Sequence, residues 1–475
     1  MTAADRALRA PVLVAALTLA AALLRIALAA AIPLANDEAY YWLWSRHLVW
    51  GYPDHPPAIA ALIALATRLG GDGPMGIRAA SLLLASAMPI VLYAAGRDLF
   101  DRAAGARAAV IASLLPIAAL GTAFAFPDGP IAFFWGLSLW TGWRALREGR
   151  WWWIAAGVSA ALALLTKLTG AFLVLGLAAA WASGPWRRSL RDPGFYAGVA
   201  VSAALVAPFV LWNATHDWWT IRFTLERPPW IAPRSVPQNL LLSGAGQLAY
   251  HGLAAIPLLA AVITTARRSG PAWRYLLWMS GPLFIAFLVS AVGARAKPHW
   301  PSPAYLSAAI VLGALWPEWR GRRRALGLVA LAATGALTAA LAAAVLLPGV
   351  ADVDSAFGRW DGVARAAARE ARALTANGRE VFILADGYQD ASQIAYHLRE
   401  EIVVTPLRYA FLLWIPPESL IGRDVVYVET EGHWTRRLEQ SCTEVMRGTT
   451  LLVARDRDAT LYICTNFRGV GDVTR

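Results

Sequence analysis

Acidic residues occur in three short segments, each next to a long apolar run. The candidates are Asp37 and Glu38 in NDEAYY, Asp54 and His55 in YPDHPP, and Asp128 in FPDGP. An ionised carboxylate only accepts hydrogen bonds, so it can take a proton from a hydroxyl group as a general base or bind a divalent cation. Asp37 and Asp128 also precede predicted helix starts, so a structural role as helix caps stays open for both.

Lysine is rare in this chain, and its two occurrences are at predicted outer membrane edges. Of 43 basic residues only Lys167 and Lys297 are lysine. A lysine ammonium is a compact charge that pairs well with phosphate. His299, next to Lys297, and His55 could add hydrogen bonds to the same anion. The alternative for either lysine is that its side chain extends to the lipid headgroups.

The segments that must position these residues are those of a membrane protein. The chain has 475 residues, of which 58% are hydrophobic and 16% charged, whereas soluble proteins carry about a quarter charged residues. Apolar runs of about 20 residues, the length that crosses a bilayer, follow one another and predict about eleven spans. These are 10–32, 75–96, 108–125, 130–146, 151–166, 168–183, 195–213, 238–265, 275–293, 303–317 and 325–347.

The distribution of arginine predicts the orientation of these spans. The net charge is +12, and arginines cluster in the short segments 97–107, 144–150, 187–191, 267–274 and 320–324. Such basic segments are typical of cytoplasmic loops. A nucleic-acid surface would gather the charges on one exposed face, so we expect no nucleic-acid partner. The N-terminus is then cytoplasmic, and an odd number of spans places the tail outside. Arg25, within the first span, must turn inward or extend outward.

Two domains are predicted. Residues 1–350 form the membrane domain, whose outer loop 36–74 contains helices that lie in the membrane interface. Residues 351–475 form an α/β domain, because short β-rich runs at 381–385, 401–406, 425–429, 451–455 and 461–466 alternate with helical patterns. Cys442 and Cys464 are the only cysteines. A disulfide is chemically allowed outside the cytosol, but it depends on a geometry that the sequence leaves open.

Carboxylates beside cations in a tryptophan-lined cavity favour sugar transfer from a lipid phosphate. The departing phosphate needs its charge neutralised, so cations stabilise its departure while one carboxylate deprotonates the acceptor hydroxyl. Direct displacement of this kind inverts the anomeric centre and needs no covalent sugar–enzyme intermediate. The acidic candidates are thus expected to be catalytic, and Lys167, His55, Lys297 and His299 are expected to bind the donor phosphate.

Five segments together resemble glycosyltransferase family 39. They are NDEAYYWLWSRHLVWGYPDHPP, FPDGPIAFFW, LLTKLTGAF, PFVLWNATHDWWTIRF and KPHWPSPAY, and the resemblance covers about residues 10–320. This is a C-type (GT-C) membrane family of protein O-mannosyltransferases and of the polyprenyl-phosphate aminoarabinose transferase that acts on lipid A. The resemblance implies a GT-C fold, Asp37 as the catalytic acidic residue, Asp128 as a second acidic residue near the donor, and Lys167 near the lipid phosphate.

One motif departs from the aminoarabinose transferases, which carry Glu-Lys-Pro-Pro where this chain has DHPP at 54–57. The carboxylate is kept, but the cation becomes His55, and histidine is mostly neutral at pH 7. Either Lys297 or an arginine such as Arg222 or Arg227 then supplies the missing charge, or a neighbouring carboxylate raises the pKa of His55. The donor sugar and the acceptor can therefore differ from those of the aminoarabinose transferases.

The expected protein is an inverting transferase of the bacterial inner membrane. It would move a sugar from a polyprenyl-phosphate donor to lipid A, core oligosaccharide or a related envelope glycolipid at the periplasmic face, as a monomer surrounded by membrane lipids. We expect no cofactor, although a divalent cation held by Asp37, Asp54 and His55 stays an alternative. A protein O-glycosyltransferase, a lipid or sugar transporter and an inactive scaffold are the other candidates. A transporter would place polar groups near the bilayer midplane, whereas these motifs occur at predicted outer helix ends.

Overall fold

The computed structural model describes residues 3–226, 229, 232, 234–295, 297–350, 357–432, 435–454 and 457–469. The α-helices are α1 (Ala3–Ala31), α2 (Asn36–Arg46), α3 (Ala58–Gly70), α4 (Pro74–Leu99), α5 (Arg102–Leu114), α6 (Pro116–Ala119), α7 (Asp128–Glu148), α8 (Trp151–Thr166), α9 (Gly170–Ser183), α10 (Pro193–Thr215), α11 (Trp219–Glu226), α12 (Val236–His251), α13 (Ala255–Thr265), α14 (Pro271–Val292), α15 (Ser302–Leu315), α16 (Gly321–Leu346), α17 (Trp360–Ala376), α18 (Tyr388–Leu398) and α19 (Thr435–Ser441). Short 3₁₀ helices cover Gly121–Ala123, Arg187–Arg191, Gly252–Ala254, Trp316–Glu318, Tyr409–Leu413 and Pro417–Leu420. The strands are β1 (Val381–Ala385), β2 (Val404–Thr405), β3 (Asp424–Glu429), β4 (Glu444–Ala454) and β5 (Arg457–Thr465).

The prediction of a helical, multi-pass membrane protein is confirmed, because each predicted span is helical. Within the described ranges, six spans are long and apolar enough to cross a bilayer: Ala10–Ala31, Pro74–Leu99, Pro193–Thr215, Val236–Thr265, Pro271–Val292 and Gly321–Leu346. A seventh is Arg102–Leu114 with Pro116–Ala123, a pair bent by 85°. The bend occurs at Leu115 because a residue before proline disfavours the helical conformation. The other predicted spans form α7, α8, α9 and α15.

The chain divides into two compact units. The first contains Met1–Ala29, Trp50–Ile59 and Arg78–Leu346, and the second contains Ala30–Val49, Ala60–Ile77 and Leu347–Arg475. Helix α2 and most of α3 therefore group with the tail rather than with the apolar helices. The sequence-based division at residues 350 and 351 stays a prediction.

Helix α15 forms the centre of the first unit. All of its residues from Pro303 to Gly313 are buried, and it packs against α5, α13 and α14. Around it, α7 and α8 form an antiparallel hairpin that turns at Gly149 and Arg150, both with positive φ. Helix α10 packs against α8. This bundle fixes which helix ends come together, and the candidate site lies at those ends.

Helices α8 and α10 approach each other through two glycines. A β-carbon at Gly157 would overlap the carbonyl oxygen of Gly198, and one at Gly198 would overlap the carbonyl oxygen of Trp153. These contacts involve backbone atoms, which cannot move aside as a flexible side chain can. The two positions therefore need glycine for steric reasons.

The second unit contains a mixed five-stranded sheet, so the predicted α/β tail is confirmed. Its order is β2-β1-β3-β5-β4, with β1 parallel to β2 and β3, and β5 antiparallel to β3 and β4. Phe382, Tyr427 and Leu438 belong to its core, together with Cys442 and Cys464. The two cysteines form a disulfide with Cα atoms 5.8 Å apart, which answers the question that the sequence left open.

Replacing Gly157 by valine should destabilise the membrane bundle. The added side chain forces α8 and α10 apart, and overpacking of this kind costs about 1–3 kcal/mol. We expect Gly157→Val to lower the midpoint of thermal unfolding in detergent. Gly281→Val is the matched control, because Gly281 is also inside a long apolar helix but a β-carbon there meets no atom within 4 Å. Equal midpoints for the two variants would contradict the packing described for α8 and α10.

Candidate active site

The centre of the candidate site in the first unit is an ion pair between Lys167 and Asp128. Asp128 is the first residue of α7, and Lys167 follows the last residue of α8. Because these helices form an antiparallel hairpin, the start of one lies beside the end of the other. Lys167 Nζ donates a hydrogen bond to Asp128 Oδ1 at 2.8 Å. The side chains are 9% and 22% exposed respectively, so the pair is largely shielded from solvent.

Two histidines add to the positive side of this cluster. His299 Nε2 lies 4.0 Å from Asp128 Oδ1. Lys167, His299 and His55 all interact electrostatically with the Asp128 carboxylate. The Tyr250 ring lies 5.7 Å from the His299 ring, measured between centroids. The structure thus places three predicted cationic residues, Lys167, His299 and His55, around the predicted carboxylate of Asp128.

The segment that carries His299 is held by buried polar side chains of α12. Gln247 Nε2 donates to the carbonyl oxygen of Pro298 at 2.8 Å, and the Tyr305 hydroxyl donates to Gln247 Oε1 at 3.2 Å. His251, which is fully buried, lies 3.1 Å from the Ser302 hydroxyl through Nε2. None of these residues was among the candidates predicted from the sequence. The signal was present, because Gln247 and His251 are polar residues four apart in an apolar helix and so face the same way.

The segment that carries Asp54 and His55 is anchored by the end of α10 and by α11. A β-carbon at Gly51 would overlap the Trp212 ring. The Thr220 hydroxyl donates to the carbonyl oxygen of Tyr52 at 2.7 Å. These contacts tie the 51–52 backbone to Trp212 and Thr220, the first and last residues of the WNATHDWWT segment. Asp54 and His55 themselves are half-buried.

The three remaining cationic candidates are Arg222, Lys297 and Arg227. Arg222 is exposed and makes an ion pair with Glu226, one turn further along α11, at 3.4 Å. Lys297 is also exposed. Arg227 lies outside the described residues. Of the phosphate-binding residues predicted from the sequence, Lys167, His299 and His55 are therefore the ones shown beside Asp128.

Asp37 belongs to the second unit and is held by helix α18. Its Oδ1 accepts hydrogen bonds from Gln389 Nε2 at 2.7 Å and from the Tyr388 hydroxyl at 3.2 Å. Its Oδ2 takes part in neither bond. One turn further along α18, Gln393 Nε2 donates to the carbonyl oxygen of Leu34 at 2.8 Å and to Asn36 Oδ1 at 2.9 Å. The start of α2 is thus fixed by polar groups of the tail.

The start of α18 is itself anchored by a buried carboxylate, Asp386. Its oxygens accept hydrogen bonds from the Tyr427 hydroxyl and from the backbone N–H groups of Thr430, Glu431 and Gly432. Burial alone would raise the pKa of the Asp386 carboxyl, but these hydrogen bonds outweigh it and lower the pKa below its ordinary value. The carboxylate is therefore ionised, and it ties the residue two positions before α18 to Tyr427 and to the 430–432 backbone.

Glu38 has a different environment from Asp37. It is fully buried, and its Oε2 accepts a hydrogen bond from the backbone N–H of Ala35 at 2.9 Å. Such a bond satisfies a backbone donor at the helix start, which is the capping role that the sequence left open for this segment. This contact favours a structural role for Glu38. Of the residues in the alternative metal site, Asp37 belongs to the second unit, and Asp54 and His55 belong to the first. Across the described parts of the chain, no three His, Cys, Asp or Glu residues are grouped as metal ligands.

Comparison with known proteins identifies the class. A family model described as dolichyl-phosphate-mannose-protein mannosyltransferase matches residues 54–212, a range that contains Asp54, His55, Asp128 and Lys167. A lipid A galacturonosyltransferase from Rhizobium johnstonii is 29% identical over 373 residues, covering 77% of each chain. These matches support a GT-C glycosyltransferase similar to those of family 39. The resemblance found in the sequence is thereby confirmed.

Further matches support the same class of enzyme or share its fold. An undecaprenyl phosphate-alpha-4-amino-4-deoxy-L-arabinose arabinosyl transferase from Pseudomonas fluorescens is 26% identical over 290 residues, covering 55% of this chain but only 49% of that protein. The structure of ArnT from Cupriavidus metallidurans bound to undecaprenyl phosphate has a TM-score of 0.65 at 17% identity, covering 95% of this chain and 97% of ArnT. The oligosaccharyltransferase AglB from Archaeoglobus fulgidus gives 0.57 at 14% identity, covering 90% and 71%. These structures share the fold.

Breaking the Lys167–Asp128 pair on one side should destabilise the glycosyltransferase more than removing both charges. Lys167→Met leaves a shielded carboxylate without its cation, which we expect to cost about 1–3 kcal/mol given the partial exposure. Adding Asp128→Asn removes that charge, so the double variant should recover part of the loss. The measurement is thermal unfolding in detergent.

The control for this cycle is Arg365→Met, which breaks the Arg365–Asp361 pair. Both side chains of that pair are more than half exposed, and exposed pairs contribute little. We expect an unchanged unfolding midpoint. Purely additive losses in the Lys167 and Asp128 double variant would contradict a direct, shielded ion pair.

Proposed function

We propose that this glycosyltransferase moves a sugar from a polyprenyl-phosphate donor to lipid A or a related envelope glycolipid. The observation that supports this most strongly is the group of Lys167, His299 and His55 around Asp128. Three groups that carry or can carry positive charge, at one largely shielded position, suit a substrate phosphate better than they suit a neutral sugar. The relatives support the same donor and acceptor, since they include a lipid A galacturonosyltransferase and undecaprenyl-phosphate aminoarabinose transferases.

In this proposal the positive cluster stabilises the leaving phosphate. When the bond between the anomeric carbon and the phosphate oxygen breaks, negative charge develops on the phosphate and must be neutralised. Lys167 supplies a fixed charge, with Asp128 holding its ammonium in position. His299 and His55 donate hydrogen bonds, and they carry charge only when protonated. Lys297, Arg222 and Arg227 remain candidates for the outer part of the phosphate site.

Asp37 is proposed as the general base. Gln389 and Tyr388 both bind Oδ1, which orients the carboxylate, and we assign the proton from the acceptor hydroxyl to Oδ2. The hydroxyl oxygen then attacks the anomeric carbon from the side opposite to the phosphate, so the configuration inverts. Asp54 is a second candidate for this role. We propose no metal requirement, because a lysine supplies the positive charge that a cation would otherwise bring to the phosphate.

The remaining features of the proposal concern location and acceptor. The arginine distribution supports a cytoplasmic N-terminus, which places the tail and the site in the periplasm of a bacterial inner membrane. We propose that the protein acts as a monomer. A protein acceptor is the second candidate, because the family model carries the description of a protein mannosyltransferase, but the curated relatives favour a lipid.

Asp37→Asn should abolish transfer without preventing donor binding. The amide oxygen can still accept the bonds from Gln389 and Tyr388, so packing is kept, but the side chain no longer accepts a proton. General-base catalysis contributes about 10²–10⁴-fold, and we expect a loss in this range. The measurement is transfer of radiolabelled sugar by purified protein in nanodiscs, with undecaprenyl phosphate binding measured on the same sample.

Asp361→Asn is the control for this variant, because Asp361 is an exposed carboxylate paired only with Arg365 in the described contacts. It should retain full transfer. Turnover by Asp37→Asn within a few-fold of the wild-type rate would show that the base is another residue. Asp54→Asn and Asp128→Asn would then identify it.

A further inference from the structure

Arg25 is a buried cation inside the apolar helix α1, and its charge is not matched by the protein. The side chain turns inward, one of the two orientations that the sequence allowed, and the residue is 3% exposed. Nε donates to the Thr122 hydroxyl at 2.8 Å and Nη2 to the carbonyl oxygen of Ala118 at 2.6 Å. Nη1 is buried and has no hydrogen-bond partner among the described residues. The two partners of the guanidinium, the Thr122 hydroxyl and the Ala118 carbonyl oxygen, are neutral, so they do not balance its charge.

The guanidinium lies at the wall of a cavity in the first unit. Arg25, Thr122 and Asp128 contribute polar groups to this wall. The rest is mainly apolar and includes Met88, Leu92 and Leu306. Because Asp128 also belongs to the Lys167 and His299 cluster, the cavity is continuous with the candidate active site.

The carboxylate in this cavity is not the counter-ion of Arg25. Asp128 Oδ1 accepts its short hydrogen bond from Lys167, and no ion pair joins Asp128 to Arg25 in the parts of the chain that the structure describes. A buried guanidinium stays protonated, so it needs an anion to compensate its lost hydration. A guanidinium recognises carboxylate and phosphate oxygens through its fork of N–H donors. An apolar wall next to it suits the hydrocarbon of a lipid ligand.

We propose that Arg25 binds an oxyanion of the lipid-linked donor inside this cavity, a proposal that rests on the proposed function. Two parts of a donor can provide this chemistry. One is the phosphodiester of the carrier lipid, whose first isoprene units would then lie against Met88, Leu92 and Leu306. The other is the carboxylate of a uronic acid sugar. Nη1 donates to the oxyanion in both cases, while Thr122 and Ala118 keep the guanidinium in place.

The test compares Arg25→Met with the wild type in nanodiscs, using two probes. The first is undecaprenyl phosphate without a sugar, and its dissociation constant is measured. The second is a pair of undecaprenyl-phosphate donors, one with a uronic acid and one with the corresponding neutral hexose, and the transfer rates are measured. Arg107→Met is the matched control. Like Arg25, Arg107 donates a hydrogen bond to a backbone carbonyl, in its case from Nε to Gly313 at 2.6 Å, but it does not line the cavity.

A phosphate ligand predicts that Arg25→Met weakens undecaprenyl phosphate binding by about tenfold or more, the usual scale for losing a charge-assisted hydrogen bond. A carboxylate ligand predicts unchanged binding of undecaprenyl phosphate and an approximately tenfold slower transfer of the uronic acid alone. Either result supports the proposal, provided that Arg107→Met has no such effect. Unchanged binding and unchanged transfer of both sugars would overturn it, as would equal losses in the control.

Two further measurements separate this role from a structural one. Removing a charge that the protein does not balance should not lower the thermal unfolding midpoint, so a less stable Arg25→Met protein with normal binding and transfer counts against the proposal. If Arg25→Met does not fold, Ala132→Leu adds side-chain volume at another residue that lines the cavity and leaves the arginine in the sequence. It should weaken undecaprenyl phosphate binding or slow uronic acid transfer, and a wild-type response in both measurements would overturn the proposal. Failure of the wild type itself to bind undecaprenyl phosphate would contradict the proposed donor rather than the role of Arg25.

Discussion

A charge inside an apolar bundle must be compensated, and this constraint explains the polar architecture of the first unit. Lys167 meets it with the carboxylate of Asp128. Arg78, which is fully buried, meets part of it with the carbonyl oxygen of Ala29 at 2.6 Å. Arg107 uses the carbonyl oxygen of Gly313 in the same way. Each of these contacts fixes one helix end or one helix pair, so the polar residues that are costly to bury also determine which ends meet.

The two compact units contain different parts of the proposed chemistry. The first has the positive cluster that would stabilise a leaving phosphate, and the segments bearing His55 and His299 are each held by buried polar contacts. The second has Asp37 at the start of α2, oriented by Tyr388 and Gln389 of the tail. The tail is therefore more than an appended domain, because removing it would take away both hydrogen-bond donors described for the proposed base.

The sequence was sufficient for the features that depend on local patterns. Hydropathy identified the spans, and alternating β-rich runs identified the five strands of the tail. The pairing of Asp128 with Lys167 was not predicted, although the short turn at Gly149 and Arg150 makes the start of α7 and the end of α8 neighbours. The five sequence motifs then predicted a resemblance to glycosyltransferase family 39.

Contacts between segments that are distant in the chain could not be predicted from local sequence patterns. Gln389 reaches Asp37 across 352 positions, and no periodicity relates the two. The orientation of Arg25 depends on Thr122, which is 97 positions away in the chain. Glu38 is next to Asp37 in sequence, yet only the folded chain shows that one carboxylate caps a helix while the other is bound by the tail.

The central claim, transfer of a sugar to an envelope glycolipid, is tested most directly by mass spectrometry of lipid A and core oligosaccharide from a strain that lacks this gene and from its parent. The account predicts a glycolipid that is lighter by one sugar residue in the mutant, with the parental mass restored by the wild-type gene and not by the Asp37→Asn variant. Identical glycolipid masses in the two strains, with a changed or an unchanged glycoprotein fraction, would contradict it.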